Sequence, residues 1–178
     1  ILQAHRGVLF CLNKWDLVEK DEKTFDHIVA GLRRTYAQLA HVPMLSASAL
    51  TGQRMDAILR TALAVHERMG KRVPLSAFRR SAQRWVREQP HPLVGGRPVK
   101  IMGGKQVRAA FPLFHFFAAN HVLAQESYER YLANRIHEEF GFEGCPLGIV
   151  FKPPAGPRSR RGGRTGAASH AEPMGVGT

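Results

Sequence analysis

The residues best suited to chemistry form one short run, Asn13-Lys14-Trp15-Asp16, directly behind the apolar stretch Val8–Leu12. A carboxylate such as Asp16 is an acceptor-only group with two oxygens. Guanine presents two adjacent N–H donors, at N1 and on its 2-amino group, that one carboxylate can accept together. Adenine has an acceptor at N1 and no 2-amino group, so it would leave the charge unpaired at a cost of roughly 1–3 kcal/mol. Sites built around such bonds can separate two ligands by about 10⁴-fold. The Lys14 stem can lie along the flat face of a base, its ammonium in water or on a loop carbonyl. Asn13 can brace neighbouring loops and reach the base edge. The plainer reading of the same residues is a polar surface turn with Trp15 partly packed.

A second group, Ser48-Ala49-Leu50, stands behind the next apolar stretch and before Thr51-Gly52. A backbone N–H of such a loop can donate to the 6-oxygen of guanine, where adenine carries a donor instead. Alone the tripeptide says nothing. Its weight comes from its place at the next strand end, one helix after Asn-Lys-x-Asp. Ligands of open α/β sheets bind at the carboxyl ends of strands.

These loops need strands and helices to hold them. Val8–Leu12 reads as a strand buried on both faces, with Cys11 a small buried hydrophobe inside it. Phe25, Ile28, Leu32, Tyr36 and Leu39 recur at helical spacing over Thr24–Ala40, with Thr24 as N-cap. Val42–Ala47 reads as a second strand, and Thr51–Met69 as a second helix. Strand–helix–strand–helix with short connections predicts a parallel β/α unit over residues 1–73. Residues 74–152 read differently. A helix opens at Pro74 with Leu75, Phe78, Ala82, Trp85 and Val86 on one face, and a breaker loop follows over Pro90–Gly96. Strands then cover Arg97–Val107, bent at Gly103-Gly104, and Phe111–Ala118. A helix over Ser127–Phe140 stops at Gly141, and Leu147–Lys152 is the last strand. The expected fold is α/β, with a small α+β domain after the parallel unit. Residues 153–178, rich in Gly, Pro, Arg and Ser, predict a disordered tail.

The chain of 178 residues has 44% hydrophobic residues and carries 26 Lys+Arg against 14 Asp+Glu, a formal charge of +12. It can bury a core and is no acidic disordered scaffold; the charge points to a polyanionic partner. Arg158, Arg160, Arg161 and Arg164 make the tail a candidate electrostatic RNA contact. Lys100, Lys105 and Arg108 read as a solvated basic edge, and His115 as a packed or edge histidine. Gly141-Phe142-Glu143-Gly144 has the Gly-x-x-Gly form of an RNA clamp, but its acidic, apolar interior reads as a structural turn. Two cysteines give no disulfide framework and suit a reducing cytoplasm. No run approaches the roughly 18 apolar residues of a membrane helix. The histidines show no metal spacing.

The chain resembles the C-terminal portion of the Der (EngA) family of bacterial GTPases. The resemblance rests on NKWDLVEKD at Asn13–Asp21, SALTGQRMDAIL at Ser48–Leu59, RPVKI at Arg97–Ile101, SYERYLANRI at Ser127–Ile136 and the FGFEG segment up to Leu147. It implies the second half of a P-loop GTPase domain (1–73), a KH-like domain (74–152) and a tail (153–178). It further implies a GTP or GDP ligand at Asn13, Lys14, Trp15, Asp16, Ser48, Ala49 and Leu50. The implied role is in assembly of the large ribosomal subunit, with ribosomal RNA as partner, as a monomer. Two departures stand out. The chain has no Gly-x-x-x-x-Gly-Lys-Ser/Thr loop, and no Asp is followed by Gly three residues on. Mg²⁺ and hydrolysis are therefore expected only of an intact, longer protein, of which this chain would be the last third or so. Where the family commonly has a regular aliphatic strand, this chain has Phe114-His115-Phe116-Phe117. The alternative is a standalone RNA- or ribosome-binding module without nucleotide function.

Overall fold

The computed structural model describes residues 4–19, 21 and 23–154. Residues 155–178, with the tail's four arginines, lie outside them. Nine regular elements follow in chain order: β1 (Phe10–Leu12), α1 (Thr24–Thr35), β2 (Met44–Ser46), α2 (Met55–Gly70), α3 (Leu75–Glu88), β3 (Lys100–Val107), β4 (Leu113–Ala119), α4 (Glu126–Phe140) and β5 (Gly148–Lys152). The result is a mixed α/β structure with two small sheets among the described residues.

β1 and β2 pair in parallel, Phe10 opposite Met44 and Leu12 opposite Ser46, with α1 crossing between them. This is the expected β/α arrangement, since parallel neighbours need a long crossover. Four local expectations fail. Cys11 is exposed, on a strand with one sheet neighbour among the described residues. The helix after it ends at Thr35. Tyr36 leaves helical geometry (φ −124°, ψ 88°) and a separate 3₁₀ turn carries Ala37–Leu39, so the apolar spacing continues while the backbone breaks. Thr24 does not cap α1. Its hydroxyl donates to Asp21 Oδ1 at 2.9 Å, and that same oxygen accepts the Lys23 N–H at 2.7 Å. α2 likewise begins at Met55, after a turn, rather than at Thr51.

The second sheet runs β3-β4-β5, antiparallel between β3 and β4 and parallel between β4 and β5. A register shift between Ile101 and Gly103 marks the bend expected at the paired glycines. Gly104 is needed there for packing, since a Cβ would sit 2.9 Å from the His115 carbonyl and 3.0 Å from the Phe78 ring. The main core lies under this sheet. Phe78, Ala82 and Trp85 of α3 meet Phe114, Phe116 and Ala118 of β4 and Tyr128, Leu132 and Ile136 of α4. The Tyr128 hydroxyl donates to the Gln89 carbonyl and that of Tyr131 to the Trp85 carbonyl, satisfying the end of α3. Burial pushes the Tyr128 hydroxyl up to about 12.

The loop after α4 ties the two regions together. Gly141, in left-handed geometry, ends α4, and the chain then folds Phe142 into the core. Gly144 accepts the Val8 N–H at 2.8 Å and donates to the His41 carbonyl at 2.8 Å. With φ +78° and a would-be Cβ only 2.5 Å from Val65, position 144 admits only glycine comfortably. The Gly-x-x-Gly segment is thus a structural joint.

Candidate functional site

The parallel ladder of β1 and β2 extends into both loops that the sequence singles out. The Ala47 N–H donates to the Leu12 carbonyl at 2.9 Å, and the Trp15 N–H to the Ala47 carbonyl at 3.0 Å. Both loops therefore leave the same, carboxyl, edge of the sheet. Asn13 ties them together. Its Oδ1 accepts the Lys14 N–H at 2.7 Å and the Ala49 N–H at 3.1 Å, 36 residues away. Lys14 sits in the left-handed region (φ 59°), a strained setting for a side chain with a Cβ. The Asn13 bond and the one from Leu17 N–H to the Lys14 carbonyl (3.1 Å) hold it there.

The other residues divide by exposure. Trp15 is 5% exposed and turns inward against Phe25, ring centroids 5.9 Å apart and nearly perpendicular. It props the loop from behind instead of facing a ligand. Asp16 is half-buried, with Oδ1 inside the protein surface. Asn13, Lys14, Ala49 and Leu50 are exposed. Ser48 is fully buried; its hydroxyl accepts the Thr51 N–H at 3.2 Å and its own N–H donates to the Gln53 carbonyl at 3.1 Å. The serine shapes its loop from the inside.

Several supporting residues were not visible as candidates in the sequence. Arg54, in left-handed geometry, donates to the buried Ser46 hydroxyl and pins the start of α2 to β2. Phe25 backs Trp15. Asp21, whose carboxyl is held below its ordinary value by the Thr24 hydroxyl and the Lys23 N–H, fixes the approach to α1. The glycine at position 52, which takes a positive φ of 75°, is the residue type that marks the turn before α2. Among the described residues no cluster of His, Cys, Asp and Glu could hold a metal ion, and no helix is long and apolar enough to cross a membrane.

The Asn13–Asp16 and Ser48–Leu50 loops thus lie side by side at one sheet edge, joined by Asn13, with the Ser48, Ala49 and Thr51 N–H groups engaged within the loops. Comparison with known proteins finds the following similarities. Residues 72–152 match the family described as the KH-domain-like C-terminal domain of EngA bacterial GTPase enzymes. GTPase Der of Moorella thermoacetica is 40% identical over 147 residues, covering 83% of this chain and 34% of that protein. GTPases Der of Desulfitobacterium hafniense and Chloroflexus aggregans are 35% and 33% identical over 150 and 153 residues. The chain spans about a third of the length of these curated relatives.

Proposed function

We propose, from the premise that residues 72–152 are a KH-like domain of the EngA C-terminal type and that most of the chain parallels Der GTPases, that this chain is the C-terminal part of a GTP-binding GTPase. Residues 1–73 are then the second half of a P-loop GTPase domain and residues 74–152 the KH-like domain. One observation carries the nucleotide reading: Asn13 Oδ1 clamps the Asn-Lys-x-Asp loop to the Ser-Ala-Leu loop at one sheet edge. In this reading Asp16 accepts guanine N1–H and the 2-amino group, the Lys14 stem covers the base, and the backbone N–H of Leu50 meets the 6-oxygen, the Ala49 N–H being held by Asn13 Oδ1. Asn13, Trp15 and Ser48 are positioning residues.

Phosphate and Mg²⁺ are held elsewhere, because no phosphate-loop motif occurs among the 178 residues. Phosphoryl transfer depends on positioning and charge stabilisation at the phosphates. The pure chain therefore shows no Mg²⁺-dependent GTP hydrolysis, and measurable turnover would overturn this reading. In the protein extended to the length of its relatives, Asp16→Asn weakens guanine nucleotide binding and favours xanthine nucleotides. Xanthine carries a carbonyl where guanine has its 2-amino group, and the new amide donates to it. Unchanged guanine selectivity would contradict the assignment. The partner is the large ribosomal subunit and its RNA during assembly, in the cytoplasm, with the protein monomeric. A second reading, a standalone RNA-binding module, is favoured by the core under β3-β4-β5, which draws almost wholly on residues after Val73.

A further inference from the structure

The Phe114-His115-Phe116-Phe117 segment has no part in the guanine reading, and the structure splits it cleanly. Phe114 and Phe116 are fully buried in the core. The alternation of a strand turns Leu113, His115 and Phe117 to the other face of the sheet, away from α3 and α4. On that face Lys105 stands directly opposite His115, and Lys152 directly opposite Phe117. The Lys105 ammonium lies 5.8 Å from the Phe117 ring centroid. Gly103 is the other neighbour of Phe117, and the space where its side chain would be is open. A cleft of about 440 Å³ starts there, bordered by Phe117, Gly103, Arg79 and Pro154. β3, β4 and β5 contain no Asp or Glu at all.

We propose that this open sheet face is a stacking platform for single-stranded RNA, with Phe117 and His115 each taking a base and Lys105 and Lys152 the flanking phosphates. The rings are two strand residues apart, about 7 Å, a spacing that suits successive unstacked bases of an extended strand. Every base has a π-face, so aromatic platforms flanked by cations bind single strands with little sequence preference. Burial, then Lys152 and Lys105, hold the His115 imidazole below its ordinary value, which leaves a neutral ring to stack. The cleft gives a base on Phe117 room at its edge, and Arg79 lines its far side. The inference rests on the ribosomal reading only for choosing RNA over DNA; the guanine loops take no part in it.

The test is fluorescence anisotropy of the full chain with fluorescein-labelled 12-nucleotide oligouridylate and oligoadenylate RNAs, over a series of salt concentrations. Phe117→Leu keeps an apolar side chain and removes the ring. It weakens binding about tenfold and leaves the salt slope unchanged. Lys105→Gln with Lys152→Gln lowers that slope by roughly 1.4, two single-strand phosphates' worth. Cross-links from 4-thiouridine RNA fall in β4. Unfolding curves and guanosine binding of Phe117→Leu match the parent chain, which separates this site from the nucleotide site. The proposal is overturned if Phe117→Leu binds RNA as the parent does. It is equally overturned if cross-links fall only outside β4, or if sedimentation finds the face buried against a second copy of the chain while RNA fails to bind.

Discussion

The two regions of the molecule are ordered by different means. In the second, α3 buries Phe78, Ser81, Ala82 and Trp85, and α4 buries Tyr128, Leu132 and Ile136. In the first, α1 buries nothing and α2 buries Val65 alone. Its candidate site is held by hydrogen bonds that Asn13, Ser48 and Arg54 make to nearby loops and strands, with one tryptophan behind. A packed core makes the second region a self-sufficient platform. The first buries Trp15, Val42, Met44, Ala47 and Ser48 around its loops but little of its helices, and Gly144 is one of its ties to the second.

Truncating one large side chain on each side gives the largest expected contrast. Phe78→Ala costs about 3–5 kcal/mol of unfolding free energy, since its ring touches Trp85, Phe114, Phe116 and Phe140. Leu59→Ala, about two-thirds exposed, costs under about 0.5 kcal/mol. Urea titration checks both, and a large effect at Leu59 would erase the contrast. The joint comes next. Gly144→Ala meets a left-handed backbone, Val65 and the Val8 carbonyl, and loses about 2–3 kcal/mol. Circular dichroism and amide exchange together show protection lost across β1 and β2 while β3–β5 stay protected.

Two smaller effects sharpen the same boundary. His137 of α4 stacks on His41 of the first region, ring centroids 4.2 Å apart. Burial first, and the His41 charge second, push its imidazole down to about 4 from an ordinary 6.5. A lowered histidine pKa means that the unfolded chain takes up the proton first. Stability is complete above about pH 6.5 and falls as pH drops toward 4. Each pKa unit is worth about 1.4 kcal/mol, and partial exposure reduces the total to on the order of 1–2 kcal/mol. Thermal melts of the chain and of His137→Gln check this, the variant losing most of the slope. The cysteines report local access. Cys11 is exposed, whereas Cys145 is buried, donates toward the Val65 carbonyl and is pushed up to about 11 by burial. A thiol reagent at pH 8 labels Cys11 in the native chain and reaches Cys145 only on unfolding.

Legibility in the sequence followed the same line. α3, α4 and the Gly141 stop could be read because one core satisfies their periodicity within the region. In the first region the period was right and the burial wrong. A run such as VLFCL looks the same whether a strand has two sheet neighbours or one, and Cys11 proved exposed. The end of α1 at Tyr36 was hidden because Leu39 keeps the spacing beyond the break. At the site, residue types and order exposed Asn13, Asp16 and the Ser48 loop. The inward turn of Trp15 and the support from Arg54 and Phe25 depend on contacts between segments, which no local pattern encodes.

The central claim is that the Asn13 clamp presents a guanine-selective edge. Guanosine and adenosine titrated separately into ¹⁵N-labelled chain, followed by amide shifts, test it most directly. The account predicts that guanosine moves the Lys14, Asp16, Ala49 and Leu50 amides, that adenosine leaves them in place, and that Asp16→Asn abolishes the guanosine response. Equal shifts with both nucleosides, or guanosine shifts unaffected by Asp16→Asn, would contradict it.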